Sequence, residues 1–311
     1  MPFITLFILI FQILATCNIV AFVFCIYLLF LGKVNEKKKD AKSSSSLPIM
    51  YEFYRGMEVH PRLLGIDVKQ LTNCRFGLMA WQLLVVAFFV AGWQKNGFSL
   101  GHFVSTILQT IYLAKFYWWE TGYFTTLDIT LDRAGYYICW GCIVWVPSFY
   151  TYASYYFVSN PPIISDETSY LILVFGLVSI GLNYRVDWEK EYFRSCKEKG
   201  EEEECYLWGQ PAKFIKVTYA TTTGTKNSTL LTSGFWGIAR HTNYVFELGL
   251  ALAWCLPGYG ISILPFSYFI FLTVLLIHRV FRDEEKCQVK YNKYWDEYCN
   301  VVRYRMIPYI F

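Results

Sequence analysis

The sequence predicts an all-α protein, a polytopic membrane helical bundle with about seven spans. Of its 311 residues, 55% are hydrophobic and 20% aromatic, and the mean hydropathy is +0.31, whereas soluble domains are usually about 45–50% apolar. The apolar runs are also long enough, because a spanning helix needs ~20 mostly apolar residues. Such runs cover residues 3–31, 76–93, 103–119, 135–158, 168–184, 244–257 and 261–278.

The first run predicts a retained N-terminal membrane anchor, residues 1–32. No basic residue precedes it, and it is longer than the apolar region of a signal peptide. Residues 33–50 then predict a basic and serine-rich cytosolic linker, since five lysines stand against Glu36 and Asp40. Nucleic-acid binding by this run is an alternative, but a topology signal is the simpler interpretation, and the net charge of +4 predicts no polyanionic partner.

The ten cysteines predict neither a disulfide framework nor a metal site. About half lie in apolar runs, where a free thiol behaves as a small hydrophobic group. Cys139 and Cys142 have a spacing that could bind a metal on a helix, but no histidine is near them in the sequence.

Glu120 and Tyr150 are the candidate catalytic residues of an aromatic segment, 115–152. Glu120 follows two tryptophans at the end of an apolar run, and two aromatic stretches lead from there to Tyr150. One interpretation is an aromatic belt at the membrane interface with a polar loop. The other is an apolar pocket in which a buried acid keeps its proton at neutral pH and a tyrosine relays or donates it.

Lys190 and Arg194 fall four residues apart on a predicted helix that continues past the span ending near residue 184. They could clamp a phosphate or could be ordinary solvated charges. The Thr-rich alternation around Gly224 predicts a small cytosolic hairpin of two short strands. The glycosylation sequon at Asn227 lies in this hairpin and is expected to be unused there.

The stretch "SGFWGIARHTNY", residues 233–244, places polar groups at the start of an apolar helix. Arg240, His241 and Asn243 would lie where backbone N–H groups favour an anion. Further on, Asp283, Cys287 and Tyr291 repeat every four residues and predict a C-terminal cytosolic helix with a polar face. That face suits a polar ligand, although a plain surface helix is the alternative.

These clusters predict an integral membrane enzyme with an apolar substrate and a phosphorylated cofactor. The sequence contains neither GxGxxG after a strand nor GxxxxGK[ST], so Rossmann and P-loop domains are excluded as far as motifs allow. The residues alone leave the reaction open.

Three C-terminal motifs resemble signatures of the sterol reductase family, which contains the Δ14-, Δ7- and Δ24(28)-sterol reductases and the lamin B receptor. They read "LLTSGFWGIARHTNY", "HRVFRDEEKCQVKYNKYWDEYC" and "VRYRMIPYIF". The resemblance extends upstream through "WWETGYFTTLDITLDRAGYYICWGCIVWVP" to "YRGMEVHPR", so it covers about residues 51–311.

Within the family, the chain most resembles the plant-type Δ7 branch. The segment "CYLWGQPAKFIKVTYATTTGTKNSTLLTSG" is similar to that branch and is shorter in the Δ14 enzymes. Cys142 and Glu247 stand where many members carry Asp, and both are familiar in the plant-type Δ7 group.

The resemblance implies a sterol reductase-like membrane domain over residues 51–311, with a sterol pocket at about 110–160 and an NADPH site at about 187–311. Glu120 and Tyr150 match acidic and tyrosine positions of the sterol pocket. The positions that match the family's cofactor-binding motifs are Lys190, Arg194, Trp236, Arg240, His241, Asn243, Tyr244, Glu247, Asp283, Cys287 and Tyr291.

The implied reaction is NADPH-dependent reduction of the C7–C8 double bond of a 5,7-diene sterol in sterol biosynthesis. An acid protonates one carbon of the unactivated alkene, and hydride is delivered to the other. The resemblance also implies a multi-pass protein of the endoplasmic reticulum membrane whose partners are a sterol substrate, the lipid bilayer and other sterol-pathway enzymes.

Three alternatives to this function stay open at the level of the sequence. A Δ14-sterol reductase shares the motifs. Family enzymes have about ten spans and a single anchor precedes the matched region here, so a truncated, non-catalytic sterol-binding protein is a second alternative. An isoprenylcysteine-type membrane methyltransferase is disfavoured by Thr242, where that class carries proline.

Overall fold

The apolar runs form helices in the computed structural model of the protein, which describes residues 2–38, 48–124, 126–201, 203–221 and 224–311. The described residues fall into two compact units. The first contains Met1–Ser169 and Trp254–Tyr268, and the second contains Tyr170–Ala253 and Phe269–Phe311.

The first unit is built mainly from helices. They are α1 (Pro2–Lys38), α2 (Ile49–Arg55), α3 (Leu78–Asn96), α4 (Leu100–Trp118), α5 (Glu120–Tyr123), α6 (Leu127–Thr130), α7 (Tyr136–Trp140) and α8 (Tyr152–Ser159), with π-helical segments at Gln70–Gly77 and Gly141–Tyr150, 3₁₀ turns at Leu256–Gly258 and Leu264–Phe266, and strands β1 (Arg62–Leu63) and β2 (Ile66–Asp67).

Local chemistry sets several of these boundaries. Gly97 ends α3 with a φ of +86°, a conformation that glycine adopts without steric cost. Ser99 caps α4 by accepting a hydrogen bond from the backbone N–H of His102. Pro147 has no N–H to donate, and the predicted run 135–158 is accordingly divided into α7, a π-helix and α8. Tyr150 is the last residue of that π-helix.

The second unit combines long helices with two hairpins. Its elements are α9 (Asp166–Lys199), α10 (Phe235–Ile238), α11 (Thr242–Cys255), α12 (Ser267–Tyr291), α13 (Lys293–Val301), β3 (Tyr206–Leu207), β4 (Gln210–Pro211), β5 (Phe214–Thr221) and β6 (Gly224–Leu231). A core cluster that includes Val186, Phe193 and Trp236 packs α9 against the segment that precedes α11.

The predicted hairpin is confirmed. Strands β5 and β6 pair antiparallel, with Phe214 opposite Leu231 and Tyr219 opposite Lys226. Because side chains alternate along a strand, one face carries Ile215, Val217 and Tyr219. The other face carries Thr218, whose hydroxyl pairs with the side-chain oxygen of the exposed Asn227 at 2.9 Å.

Four helical stretches among the described residues are long and apolar enough to cross a membrane: Phe3–Asn35, Gln70–Asn96, Asp166–Lys199 and Leu264–Tyr291. The chain is therefore a multi-pass membrane protein, and the count of seven spans stays a prediction. The predicted anchor is helical and continues to Lys38. Residues 39–47, half of the predicted linker 33–50, lie outside the described residues, and the division at residue 51 also stays a prediction.

Candidate functional site

Tyr150 lies in an aromatic cluster of the first unit. Its ring meets Trp81 edge-on at 5.1 Å and lies 4.6 Å from the ring of Tyr268. Trp254 stacks on Tyr268 at 5.7 Å. Trp81 and Trp254 are almost completely buried, whereas Tyr150 is half-buried. The phenol of Tyr150 therefore lies among largely apolar, aromatic side chains.

A network of neutral hydrogen bonds lies behind this cluster. The indole N–H of Trp81 donates to the side-chain oxygen of Gln109 at 2.8 Å. The amide nitrogen of Gln109 lies 3.3 Å from the hydroxyls of both Ser105 and Ser154. These polar groups are buried and carry no charge, so they fix the position of Trp81 without introducing an ion beside Tyr150.

Glu120 is an ion-paired carboxylate at the start of α5. Its two oxygens accept hydrogen bonds from Arg75 at 2.9 Å and from Gln70 at 3.2 Å. Burial favours the neutral acid, but these hydrogen bonds and the guanidinium charge outweigh it and lower the pKa of Glu120 below its usual value. Glu120 contacts Gln70 and Arg75, whereas Tyr150 packs on aromatic rings. The two candidate proton donors therefore have different surroundings.

Arg240 is buried and bonded to the protein through all three guanidinium nitrogens. Nε and Nη2 donate to Glu284, and Nη1 donates to the carbonyls of Val302 and Arg303 at 2.6 and 3.0 Å. Arg305 binds the other oxygen of Glu284 at 2.8 Å. This cluster fixes the C-terminal segment to α12.

The backbone N–H groups of Arg240 and His241 are occupied as well. They donate to the carbonyls of Tyr304 and Arg305 at 3.0 and 2.8 Å. The sequence predicts a phosphate at this position, but the C-terminal segment supplies the acceptors instead. Arg240 therefore has partners within its own chain at both its side chain and its backbone N–H.

Trp236 is a core residue rather than an open platform. It is 7% exposed, and its indole N–H donates to the carbonyl of Val186 at 2.9 Å. The ammonium of Lys190 lies 4.1 Å from the centre of its ring. This cation–π contact brings together two of the predicted cofactor residues, one from α9 and one from α10.

A buried carboxylate, Glu189, holds the segment that leads to Trp236. It accepts hydrogen bonds from the indole of Trp208 at 2.7 Å and from the backbone N–H of Phe235 at 3.0 Å. Gly234 has a φ of +63°, and a side chain there would collide with Glu189. The glycine in "SGFWG" is thus required by this close approach.

His241 is buried and stacks on Tyr244, with ring centres 5.1 Å apart and planes 14° apart. Burial, reinforced by the charges of Lys190 and Arg240 and opposed by Glu284, lowers the pKa of His241 to about 4. The imidazole is therefore neutral at pH 7. Its Nε2 atom is buried and lacks a hydrogen-bond partner in the described part of the chain.

Asn243 lies at the beginning of α11. Its amide nitrogen donates to Asp187 at 3.2 Å, and its backbone carbonyl accepts from Asn183 at 3.1 Å. Its side-chain oxygen is buried without a partner among the described residues. Glu247 follows one turn later on the same helix.

Asp283, Cys287 and Tyr291 follow one another at four-residue spacing along the C-terminal half of α12. Asp283 and Cys287 lie close enough to Lys190 for electrostatic interaction, and so does Arg194, one turn after Lys190 on α9. The second unit thus gathers most of the predicted cofactor residues around Lys190.

These residues fit a dinucleotide cofactor in part. The unpartnered atoms of His241 and Asn243 are suited to a polar ligand, since buried polar atoms are normally hydrogen-bonded. The cations of Lys190 and Arg194 suit its phosphates. Arg240 and Trp236 already have internal partners, so the fit rests on the other residues.

Sequence reasoning missed the groups that hold the site. Gln109, Glu189 and Glu284 are polar residues within or beside apolar runs, and such residues are costly unless they are paired. That cost is a signal that could have identified Gln109 and Glu189. The partners of Glu284 come from distant segments, so its role depends on the fold.

Comparison with known proteins identifies a family model that matches the whole chain and relatives that match most of it. The model described as "Ergosterol biosynthesis ERG4/ERG24 family" matches residues 1–311. The chain is 44% identical over 294 residues to 7-dehydrocholesterol reductase from Arabidopsis thaliana, covering 94% of this chain and 66% of that protein. It is 36% identical over 276 residues to 7-dehydrocholesterol reductase from Danio rerio, covering 88% of this chain and 56% of that protein.

A Δ14-sterol reductase is also similar. The chain is 31% identical over 299 residues to Delta(14)-sterol reductase from Methylotuvimicrobium alcaliphilum, covering 96% of this chain and 66% of that protein. The chain thus spans between 56% and 66% of the length of these three relatives.

Proposed function

This chain belongs to the ergosterol biosynthesis ERG4/ERG24 family of sterol reductases, and we propose that it reduces the C7–C8 double bond of a 5,7-diene sterol with NADPH. One observation carries the choice of bond. Identity is 44% to a plant 7-dehydrocholesterol reductase but 31% to a Δ14-sterol reductase, over nearly the same length of this chain. Reduction of a Δ14 double bond is the second candidate, because that similarity also covers 96% of the chain.

The reaction needs an acid, because a sterol alkene is not activated for direct attack by hydride. Protonation of one carbon gives a carbocation that substitution or the adjacent Δ5 alkene stabilises. A phenol keeps its proton at neutral pH, since phenols titrate near ~10 in water. The aromatic cluster around Tyr150 also limits access of water that would trap the cation. We assign proton delivery to Tyr150.

Glu120 is the weaker candidate for the same step. Its lowered pKa means that it has lost its proton at neutral pH, and a carboxylate cannot donate one. In this proposal the pair with Arg75 anchors α5 to the π-helical segment Gln70–Gly77, and Glu120 positions the aromatic segment.

The cofactor site is proposed around Lys190 in the second unit. NADPH, when bound, supplies the hydride. Lys190 and Arg194 would attract its phosphates, while His241, Asn243 and Asp283 offer hydrogen-bonding atoms to its ribose and carboxamide groups. Four further residues are proposed to line this site: Tyr244, Glu247, Cys287 and Tyr291. The ring of Trp236 supports Lys190 by packing against its ammonium group.

The proposed location is the endoplasmic reticulum membrane, with the cofactor site on the cytosolic side. The proposed partners are a sterol substrate, the lipid bilayer and other enzymes that act on sterols. A neutral, aromatic cluster in a membrane protein suits a substrate that dissolves in the bilayer.

Expression in a yeast strain that accumulates 5,7-diene sterols tests the proposal. Sterols would be profiled by mass spectrometry in cells with the wild-type chain, with Tyr150→Phe and with no insert. Loss of dienes and gain of the 7,8-saturated sterol is expected for the wild-type chain alone. Dienes that persist despite good protein levels would contradict Δ7 reduction, and repetition in a strain that accumulates Δ14 sterols would identify the second candidate.

A further inference from the structure

The β5–β6 hairpin lies against the helices that end the second unit. Ile215 and Leu230, which are opposite one another in the hairpin register, pack on Trp295 and Tyr298 of α13. Val217 is next on the same face and is only 2% exposed. The alternation of side chains therefore carries Tyr219 towards the same helices.

Tyr219 contacts the last residue of α12. Its ring meets the ring of Tyr291 edge-on, with centres 5.4 Å apart and planes at 84°. The ammonium of Lys290 lies 4.5 Å from the centre of the Tyr219 ring and 4.8 Å from that of Tyr291. One cation is thus shared by two aromatic rings from two different elements.

The helix ends directly after Tyr291. Asn292 has a φ of +50°, which breaks α12 before α13 begins at Lys293. Tyr291 also packs against the cluster of Trp295, Tyr298 and Val302, which Ile215 and Leu230 of the hairpin contact as well. The Tyr291 ring is therefore held jointly by the hairpin, by Lys290 and by this cluster.

We propose that Tyr219, together with Lys290, is a positioning residue for the dinucleotide cofactor, holding Tyr291 in the orientation that completes the polar face of α12. The inference rests on the proposed function, since it takes the face formed by Asp283, Cys287 and Tyr291 as a wall of the NADPH site. It gives the hairpin a role in cofactor affinity rather than in sterol recognition.

Direct binding of NADPH to the purified full-length protein in detergent tests this role. Energy transfer from the 11 tryptophans to the reduced nicotinamide gives the dissociation constant. We expect Tyr219→Ala to weaken NADPH binding about three- to tenfold, the size typical of one aromatic pair with a cation–π contact. Tyr219→Phe keeps the ring and is expected to stay within about twofold of the wild type.

Thr218→Ala is the matched control. Thr218 is the preceding residue on β5, but it lies on the opposite face and pairs with Asn227. It is expected to leave NADPH binding unchanged. Lys290→Met provides a second variant that keeps an apolar stem without the charge, so that the inference stays testable if Tyr219→Ala fails to fold.

The kinetic readout separates positioning from a structural role. In the reductase assay, KM for NADPH should rise in Tyr219→Ala while kcat and KM for the sterol stay near the wild-type values. Wild-type binding of NADPH with equal binding by Tyr219→Ala and Lys290→Met would overturn this inference alone. A wild-type chain that binds no NADPH would instead overturn the proposed cofactor site, and this inference with it.

Discussion

Polar atoms are stabilised by different chemistry around Tyr150 and around Arg240. Near Tyr150 the polar groups of the hydrogen-bond network are the amide of Gln109, the indole of Trp81 and the hydroxyls of Ser105 and Ser154, all of them neutral. Near Arg240 they are charged, with Glu284 held between two arginines. Gln109 and Arg240 are both buried, so these two residues differ in charge rather than in exposure.

Polar groups that are fully paired within the protein hold the fold, whereas polar groups without such partners can bind a ligand. A neutral surrounding favours an apolar substrate and keeps ions away from a cationic intermediate. Buried charges must be paired, and Arg240 is paired so completely that it has little left to offer a phosphate. Charge in a motif is therefore a poor guide to ligand binding until its partners are known.

The largest expected effect is a loss of stability when the charged cluster around Arg240 is disrupted. Arg240→Ala leaves one oxygen of Glu284 and two carbonyls without a donor, and loss of one partner of a buried ion pair costs about 3–5 kcal/mol. We expect the apparent melting temperature of the purified protein to fall by roughly 5–10 °C. Arg303→Ala, which removes an exposed neighbour, should leave it unchanged. If Arg240→Ala had a normal melting temperature and bound NADPH more weakly, Arg240 would be a cofactor-binding residue.

The next effect tests the neutral region. Tyr150→Phe removes one hydroxyl from the aromatic cluster, and loss of a general acid typically costs about 100-fold in turnover. Sterol binding should survive, because the ring and its packing are kept. Turnover under saturating sterol and NADPH is the measurement, with Tyr155→Phe as the control, since Tyr155 packs on Phe7 and Phe88 instead. Equal turnover of Tyr150→Phe and wild type would contradict the assignment of Tyr150 as the proton donor.

A smaller effect is the pH dependence that His241 confers. Its folded pKa of about 4 lies below the ~6.5 of a free imidazole. Between those values the unfolded chain binds a proton that the folded chain does not, so this group makes stability rise with pH from about 4 to 6.5. His241→Gln should flatten that part of a melting-temperature profile. A profile that keeps its wild-type slope in His241→Gln would show that other groups cause it.

The smallest effect concerns Glu120. Its folded pKa is lowered, so its contribution to stability is present above the usual carboxyl range and is lost as the pH falls through the folded value. Arg75 is 43% exposed, and such pairs are worth about 1 kcal/mol or less. Glu120→Gln should therefore change the melting temperature little and turnover less than Tyr150→Phe does. A lower turnover of Glu120→Gln than of Tyr150→Phe would identify Glu120 as the proton donor instead.

Much of the fold was predictable from periodic and compositional signals. The continuation of α9 past residue 184 and the β5–β6 hairpin are confirmed, because the charge spacing and the threonine alternation are local features. The run 135–158 was predicted as one helix. The structure divides it at a π-helix that contains Pro147, and single-sequence periodicity does not report such a change of hydrogen-bonding pattern.

The proximity of several candidate site residues was predictable from the sequence, but the partners of each residue were not. Lys190, Asn243 and Asp283 come together around α9 as their motifs indicate. The partners of Arg240 are Glu284 and, for Nη1, the main-chain carbonyls of residues 302 and 303. A carbonyl has no letter in the sequence, so no motif could show that these oxygens bind Nη1. Contacts to the backbone of a distant segment cannot be predicted from sequence motifs.

The exposed face of the hairpin provides a built-in reporter of membrane topology. Asn227 begins an Asn-Ser-Thr sequon on β6 and is accessible, so oligosaccharyltransferase would modify it in any chain inserted with the hairpin in the lumen. Translation with microsomes, followed by glycosidase treatment and a gel-shift assay, would reveal the side on which β6 lies. Because the sequon occurs naturally, the wild-type chain needs no engineered tag for this measurement.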